Sequence, residues 1–246
     1  MQLSESLYVV GGGANGLGIS EAHDCAVYLV SVGSQSVLVD AGCGIDPVPT
    51  VRNIEAHGHD PSQITHLLLT HCHADHAGAA SFWRERTGAR VAASEEEARF
   101  LEAADEEELG LVRARADGAY PPGYRLQACP VDIPVRHQQP LEIGDVVFTP
   151  IHVPGHSRGS VCYLVQLDGR RCLFTGDVVF CGGWISLLNC PGSSLSDYGE
   201  HMSRLADLGV DALLPGHFGF TLGLGQSHID IAIRGLAGLW PPKRML

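Results

Sequence analysis

Residues 71–76 read HCHADH, and they follow directly on ITHLLLT, a compact apolar run over 64–70. That run predicts a strand buried on both faces. Three imidazoles and a carboxylate at the end of such a strand are costly to bury unless something there satisfies them. In an extended or tightly turned backbone His71 and His73, two positions apart, can aim at one ion, while Cys72 between them turns away into the core. Asp75 and His76 continue beyond the turn and can face a second ion. Neutral imidazole and carboxylate together are the donors that Zn²⁺, Fe²⁺ or Mn²⁺ take.

Three later segments repeat one design, a strand and then a sharp turn that presents a polar residue. His156 stands in TPIHVPGHSRGS, Asp177 in LFTGD and His217 in LLPGH. A glycine precedes each, so the backbone can turn tightly and project the side chain from a strand end into a shared crevice. Between these points the chain reads as strands (LYVV, CAVYLVSV, SVLVDAG, ARVAA, DVVFTPIHV, SVCYLVQL, RCLFTGDVVF, VDALLPGH) alternating with helices. Helices are predicted over 47–57, in AASFWRERTG, in SLSDYGEHMSRLADLG behind a Ser cap, and over 226–239. In SEEEARFLEAADEEELGLVRARA, Ser94 is placed to cap and Glu97, three residues on, to close a capping box; its acidic runs read as a solvated helical face. Pro- and Gly-rich sequence from 118 to 140 marks a loop, and the 94–135 segment is a candidate lid. There is no internal repeat, and residues 1–246 read as a single α/β domain in which packed sheets carry helices outside.

With those motifs in place, the chain resembles the metallo-β-lactamase-fold superfamily of metallohydrolases, from the VLVDAG strand to LLPGH. The resemblance implies a four-layer αββα sandwich with a metal site at one edge of the sheets. It implies that His71, His73 and His156 hold a first metal, that Asp75, His76 and His217 hold a second, and that Asp177 bridges them. Asp40 of VLVDAG matches the superfamily's Asp near the site, fixing a ligand histidine, or else serves as a turn carboxylate. Thr70 could make a similar bond or cap the strand. Asp at the bridging position is unlike the true β-lactamases, and TGD and PGHSRGSVCY look like glyoxalase II and the lactonases related to it. The chain is short for the glyoxalase II helical domain, and DVVFCGGWISLL lacks the Tyr that follows the bridging Asp in acyl-homoserine-lactone lactonases.

The activity implied is a dinuclear metal-dependent hydrolase of a small acyl compound (thioester, lactone or ester). Two divalent ions, Zn foremost with Fe or Mn as options, would share an attacking hydroxide at neutral pH. Asp75 and Asp177 would be the catalytic carboxylates, Asp75 orienting the nucleophile. Two other classes stay open: a mononuclear iron dioxygenase acting on persulfides through His71, His73 and His156, and a non-catalytic metal-binding protein.

Composition decides the remaining classes. Sixteen Lys+Arg against 28 Asp+Glu give a net charge of −12, which disfavours nucleic acid and anionic membrane partners. No apolar run reaches the length of a membrane span. The start, MQLSESLYVVGGG, lacks the basic and apolar regions of a secretory signal, so a cytoplasmic enzyme with a small-molecule substrate is expected; a homo-oligomer is compatible with this. The eight cysteines contain no C-x-x-C pair and read as buried reduced thiols. Tyr120, Tyr124, Trp184 and Phe218 flank the site turns as candidate walls of an apolar pocket, of which two are expected to line it. His57 and His59 read as surface loop and His152 as an ordinary strand position. No partner is evident for His23, and GGGANGLG reads as a flexible loop.

Overall fold

Alternation along each strand sends successive side chains to opposite faces, and here both faces find an apolar partner. The computed structural model describes residues 1–238 and the backbone of 244–245. The first half forms strands β1 (Leu7–Gly11), β2 (Val27–Val32), β3 (Gln35–Val39), β4 (Ile64–Leu68), β5 (Arg90–Ser94) and β6 (Ile133–Val135). Its helices are α1 (Val48–Ala56), α2 (Ala74–Ala77), α3 (Ala80–Thr87), α4 (Ala98–Ala103) and α5 (Leu111–Ala116). The second half adds β7 (Leu141–Ile143), β8 (Val146–His152), β9 (Val161–Leu167), β10 (Arg170–Gly176), β11 (Ile185–Ser186), α6 (Leu195–His201), β12 (Ala212–Pro215), α7 (Gly225–Ala237) and β13 (Arg244–Met245).

The first six strands form one sheet in sequence order, antiparallel from β1 to β3 and parallel from β3 to β6. The second sheet runs β12-β10-β9-β8-β7, with β12 and β10 parallel. Val30, Val39 and Leu68 meet Phe148, Tyr163 and Phe174 between the sheets. On the far side of the first sheet Leu38, Leu67 and Leu69 pack with Ile54, Trp83 and Leu101. On the far side of the second, Leu173 and Leu213 pack with Tyr198, Met202 and Ile229. The molecule is thus the αββα sandwich that the sequence resemblance implied. All eight cysteines are free thiols, six of them buried.

Cross-sheet bonds fasten the two halves where the chain leaves β4. Val161 N donates to Thr70 O (2.8 Å), Ala26 N to Gly216 O (2.6 Å), and the Tyr163 and Tyr28 hydroxyls to Leu69 O (2.9 Å) and Pro215 O (2.7 Å). Together with Gly216 N donating to Gly176 O (2.8 Å), they place the turns that follow β4, β10 and β12 along one edge.

Two predicted helical features come out differently. The acidic segment is broken into α4 and α5, with left-handed backbone at Ala104 (φ 48°) and Gly110 (φ 73°). Ser94 lies at the end of β5 and does accept from Glu97 N (3.2 Å), but the Glu97 side chain does not return the bond. It is buried and points elsewhere. The Ser cap of α6 is present: Ser194 Oγ accepts from Asp197 N at 3.2 Å. Ser194→Ala is expected to cost about 1 kcal/mol, read as a fall of a few degrees in the melting temperature with the far-UV circular dichroism unchanged. The predicted last helix ends at Ala237, and position 239 lies outside the described residues.

Candidate metal centre

Three imidazoles converge at the end of β4. His71 Nε2 lies 3.1 Å from His73 Nδ1, and His156 Nε2 lies 3.1 Å from the former and 2.9 Å from the latter. Three nitrogens each about 2.0–2.1 Å from one zinc ion must stand within roughly 3.5 Å of one another, and these do. Beside them lies a second group. His217 Nε2 is 3.0 Å from Asp75 Oδ2, and His76 Nε2 is 3.6 Å from the same oxygen. Asp177 stands between the groups, with Oδ1 3.3 Å from His76 Nε2 and Oδ2 3.7 Å from His156 Nε2 and 3.6 Å from His217 Nε2.

Two of these atoms, His76 Nε2 and Asp177 Oδ1, are buried without a hydrogen-bond partner. Orphaned polar atoms are rare in folded proteins and point to a missing ligand. Electrostatics agree with a cation there. Burial, reinforced by neighbouring imidazoles, drives His71 well below the ordinary histidine value, and burial with the field of His73 pushes His156 down to about 3. Both are therefore neutral donors near pH 7. Burial opposes charge on His76, but Cys25 and the carboxylates of Asp75, Asp40 and Asp177 outweigh it and raise its pKa well above the usual range. Burial also opposes charge on His217, and Asp177 and Asp75 again raise it. Burial alone would raise Asp75 and Asp177, yet the surrounding imidazoles hold both below the carboxylate range. The carboxylates that favour positive charge at His76 and His217 would favour a second cation in the same way.

The donors are oriented from behind. Asp40, at φ 63°, accepts from Thr70 N (2.8 Å) and Thr70 Oγ1 (2.9 Å), and its Oδ2 lies 2.8 Å from His76 Nδ1. Thr70 Oγ1 also lies 3.1 Å from His71 Nδ1, so Asp40 and Thr70 both touch ligand-candidate histidines. His156 Nδ1 faces Ser186 O at 3.3 Å. Close approach makes glycine necessary before His217: a Cβ on Gly216 would stand 2.5 Å from His76 Cε1 and 2.6 Å from Asp177 Oδ1.

Both groups open into a cavity of about 810 Å³. Its walls include Leu109, Leu111, Tyr120, Phe180, Leu188 and Phe218. Two of the four predicted wall residues, Tyr120 and Phe218, are therefore there. Tyr124 instead stacks behind Tyr120 (centroids 5.1 Å apart), donates its hydroxyl to Cys43 O (2.6 Å) and lines an adjacent cleft. Trp184 lies outside the lining; its carbonyl accepts from Phe180 N (2.9 Å) in the turn that carries Phe180 to the cavity.

Several participants were not foreseen from sequence. Phe180 is one. His23 is another: its Nδ1 lies 2.9 Å from Glu21 Oε1 and its ring stacks on Tyr120 at 5.5 Å, at the cavity wall. Ala14 and Asn15 of the glycine-rich loop line the cavity too, and Asn15 O accepts from Phe218 N at 2.7 Å. Glu97 is a further one: its carboxylate accepts from Cys72 N, between His71 and His73 (2.8 Å). Cys72 is buried in the core, on the side away from the donors. His57 lies 2.7 Å from the N-terminal amine, and His152 Nε2, at the end of β8, donates to Arg158 O (2.9 Å).

The model of the Metallo-beta-lactamase superfamily matches residues 21–217. The chain is 32% identical over 210 residues to acyl-coenzyme A thioesterase MBLAC2 of Bos taurus and of Homo sapiens, covering 78% of this chain and 72% of those proteins. A hydroxyacylglutathione hydrolase of Anaeromyxobacter dehalogenans is 31% identical over 195 residues, covering 78% of this chain and 58% of that one. Among solved structures, the subclass B3 metallo-beta-lactamase BJP-1 of Bradyrhizobium japonicum superposes with a TM-score of 0.74 at 22% identity, covering 96% of this chain and 90% of that one. At that identity it shows the fold alone. The matched residues 21–217 run from the cavity wall through the last of the convergent donors, and the chain belongs to the metallo-beta-lactamase superfamily of metal-dependent hydrolases.

Proposed function

We propose that the chain hydrolyses small acyl compounds (thioesters, lactones or esters) with two divalent metal ions. The observation that carries this reading is two donor groups, joined at Asp177, opening together on one cavity with apolar walls. His71, His73 and His156 would hold one ion and Asp75, His76 and His217 the other, with Asp177 shared. The ions, when bound, supply a hydroxide nucleophile at neutral pH and a Lewis acid for the acyl oxygen.

The chain's own residues do the rest. Asp75, kept ionised by the imidazoles around it, is an acceptor that can orient a proton on the attacking oxygen. Asp40 and Thr70 hold His76 and His71 in one orientation. The rings of Tyr120, Phe180 and Phe218 exclude water around an apolar acyl body, in a cavity of the size that small ligands use. The thioesterase relatives act on an acyl-coenzyme A by name, which puts thioesters first in the substrate panel. No helix among the described residues is long and apolar enough to cross a membrane. The net charge of −12 supports a small-molecule substrate over nucleic acid.

Metal analysis of the purified protein, run beside a panel of thioester, lactone, ester, β-lactam, RNA and phosphodiester substrates, tests this. About two ions per chain and turnover on an acyl substrate are expected, with β-lactams and phosphodiesters slow or inert. A protein saturated at one iron, inert on every acyl substrate and consuming oxygen with a persulfide, would replace the reading with the dioxygenase one.

A further inference from the structure

Glu97 is buried to 2% exposure in a segment whose neighbours Glu95 and Glu96 face solvent. A carboxylate at that depth is costly unless its oxygens are satisfied. It forms no ion pair among the described residues; both oxygens accept from backbone instead, Oε2 from Cys72 N (2.8 Å) and Oε1 from Gly159 N (3.0 Å). Cys72 is the residue between His71 and His73, and Gly159 closes the turn that carries His156. One side chain therefore ties together the two loops that bring the three imidazoles to within 3.1 Å. The fit is tight on the other side as well, since a Cβ on Gly159 would stand 2.7 Å from Glu97 Cγ and closer still to Ser94 Oγ.

We infer that Glu97 is a positioning residue for the three-histidine site: by accepting from Cys72 N and Gly159 N it sets the separation of the His71–His73 loop and the His156 loop to what one metal ion requires. The inference rests on the metal-binding reading above, and it concerns how the donors are held. Orientation of that peptide fixes both flanking side chains, because His71 and His73 leave the backbone on either side of Cys72. A carboxylate offers two accepting oxygens, one for each of the two backbone donors, where a side-chain amide offers one. In Glu97→Gln the amide keeps one accepting oxygen and turns an N–H₂ toward the other backbone donor, so one of the two loops is released while volume is conserved.

The test titrates Zn²⁺ into the chelator-treated full chain in competition with a chromophoric chelator. For Glu97→Gln, one of the two zinc equivalents is expected to bind about 10–100-fold more weakly. Far-UV circular dichroism of the metal-free protein should be unchanged, and excess zinc should restore turnover. Glu96→Gln, an exposed neighbour, should bind zinc as the unaltered chain does. If the unaltered chain binds no zinc, the metal reading fails and this inference with it. If it binds two equivalents and Glu97→Gln binds them equally well, only the role of Glu97 is overturned. Should Glu97→Gln not fold without metal, Glu97→Asp, which keeps the charge but is one methylene short of spanning both donors, takes its place with the same expected weakening. Loss of the metal-free fold in both variants assigns Glu97 to the core and overturns the inference.

Discussion

Asp177→Ala is expected to lower hydrolysis of every acyl substrate by at least about 10²–10³-fold, the loss that follows removal of one group that stabilises developing charge. Its two oxygens are the atoms that face both donor groups at once, toward His76 on one side and His156 and His217 on the other. No other carboxylate among the described residues stands between them. The turn around it is held without its side chain: Thr175 Oγ1 donates to Val179 O (2.8 Å), Val178 N to Thr175 O (3.0 Å), and the Tyr198 hydroxyl to Asp177 O (3.2 Å). The fold should therefore survive, with the far-UV spectrum close to that of the unaltered chain and metal content reduced for both ions. Near-native turnover, or two ions retained at full affinity, would show that Asp177 is not shared.

Asp40→Ala should act on stability as well as on activity. Asp40 is 2% exposed and satisfies Thr70 N, Thr70 Oγ1 and His76 Nδ1 together. Removing it strands a backbone N–H and an imidazole inside the core, and breaking such a buried pair costs roughly 3–5 kcal/mol. For a chain of this length that corresponds to a fall of about 6–20 °C in melting temperature. His76 would lose the partner that sets its orientation, so metal binding should weaken in parallel. Thermal denaturation of the metal-free protein separates the two effects. An unchanged melting curve there would reduce Asp40 to a turn carboxylate.

The polar residues that converge on the centre were readable because each is announced locally. His71 to His76 form a dense motif after an apolar strand, and His156, Asp177 and His217 each follow a glycine at a strand end. The layered architecture was readable for a related reason, since strand runs apolar on both faces require cover on both faces. Glu97 was not readable. It sits in SEEE, where three like residues carry the same local signal, and only the position of Cys72 and Gly159 in space distinguishes the third from the first two. The break between α4 and α5 was hidden because Ala104, packed against the core, takes a left-handed backbone that its side chain does not favour. Loop aromatics were half readable. Their sequence positions put Tyr120, Tyr124, Trp184 and Phe218 near the turns, but the direction of each ring depends on contacts made with distant segments, such as Cys43 for Tyr124.

The cross-sheet bonds at Thr70, Pro215 and Gly216 carry a consequence for how the molecule is made. Four of the seven convergent residues belong to the first sheet and three to the second, so neither half owns a complete pair of donor groups. During synthesis the HCHADH segment emerges well before its counterparts, and on its own it offers a loose, incomplete grip on any ion. All seven residues come together only when the halves dock, a non-local pairing of the kind that is slow to form. On the metal-binding reading proposed above, capture of an ion would wait for the finished fold, where the spacing of the donors would do the selecting.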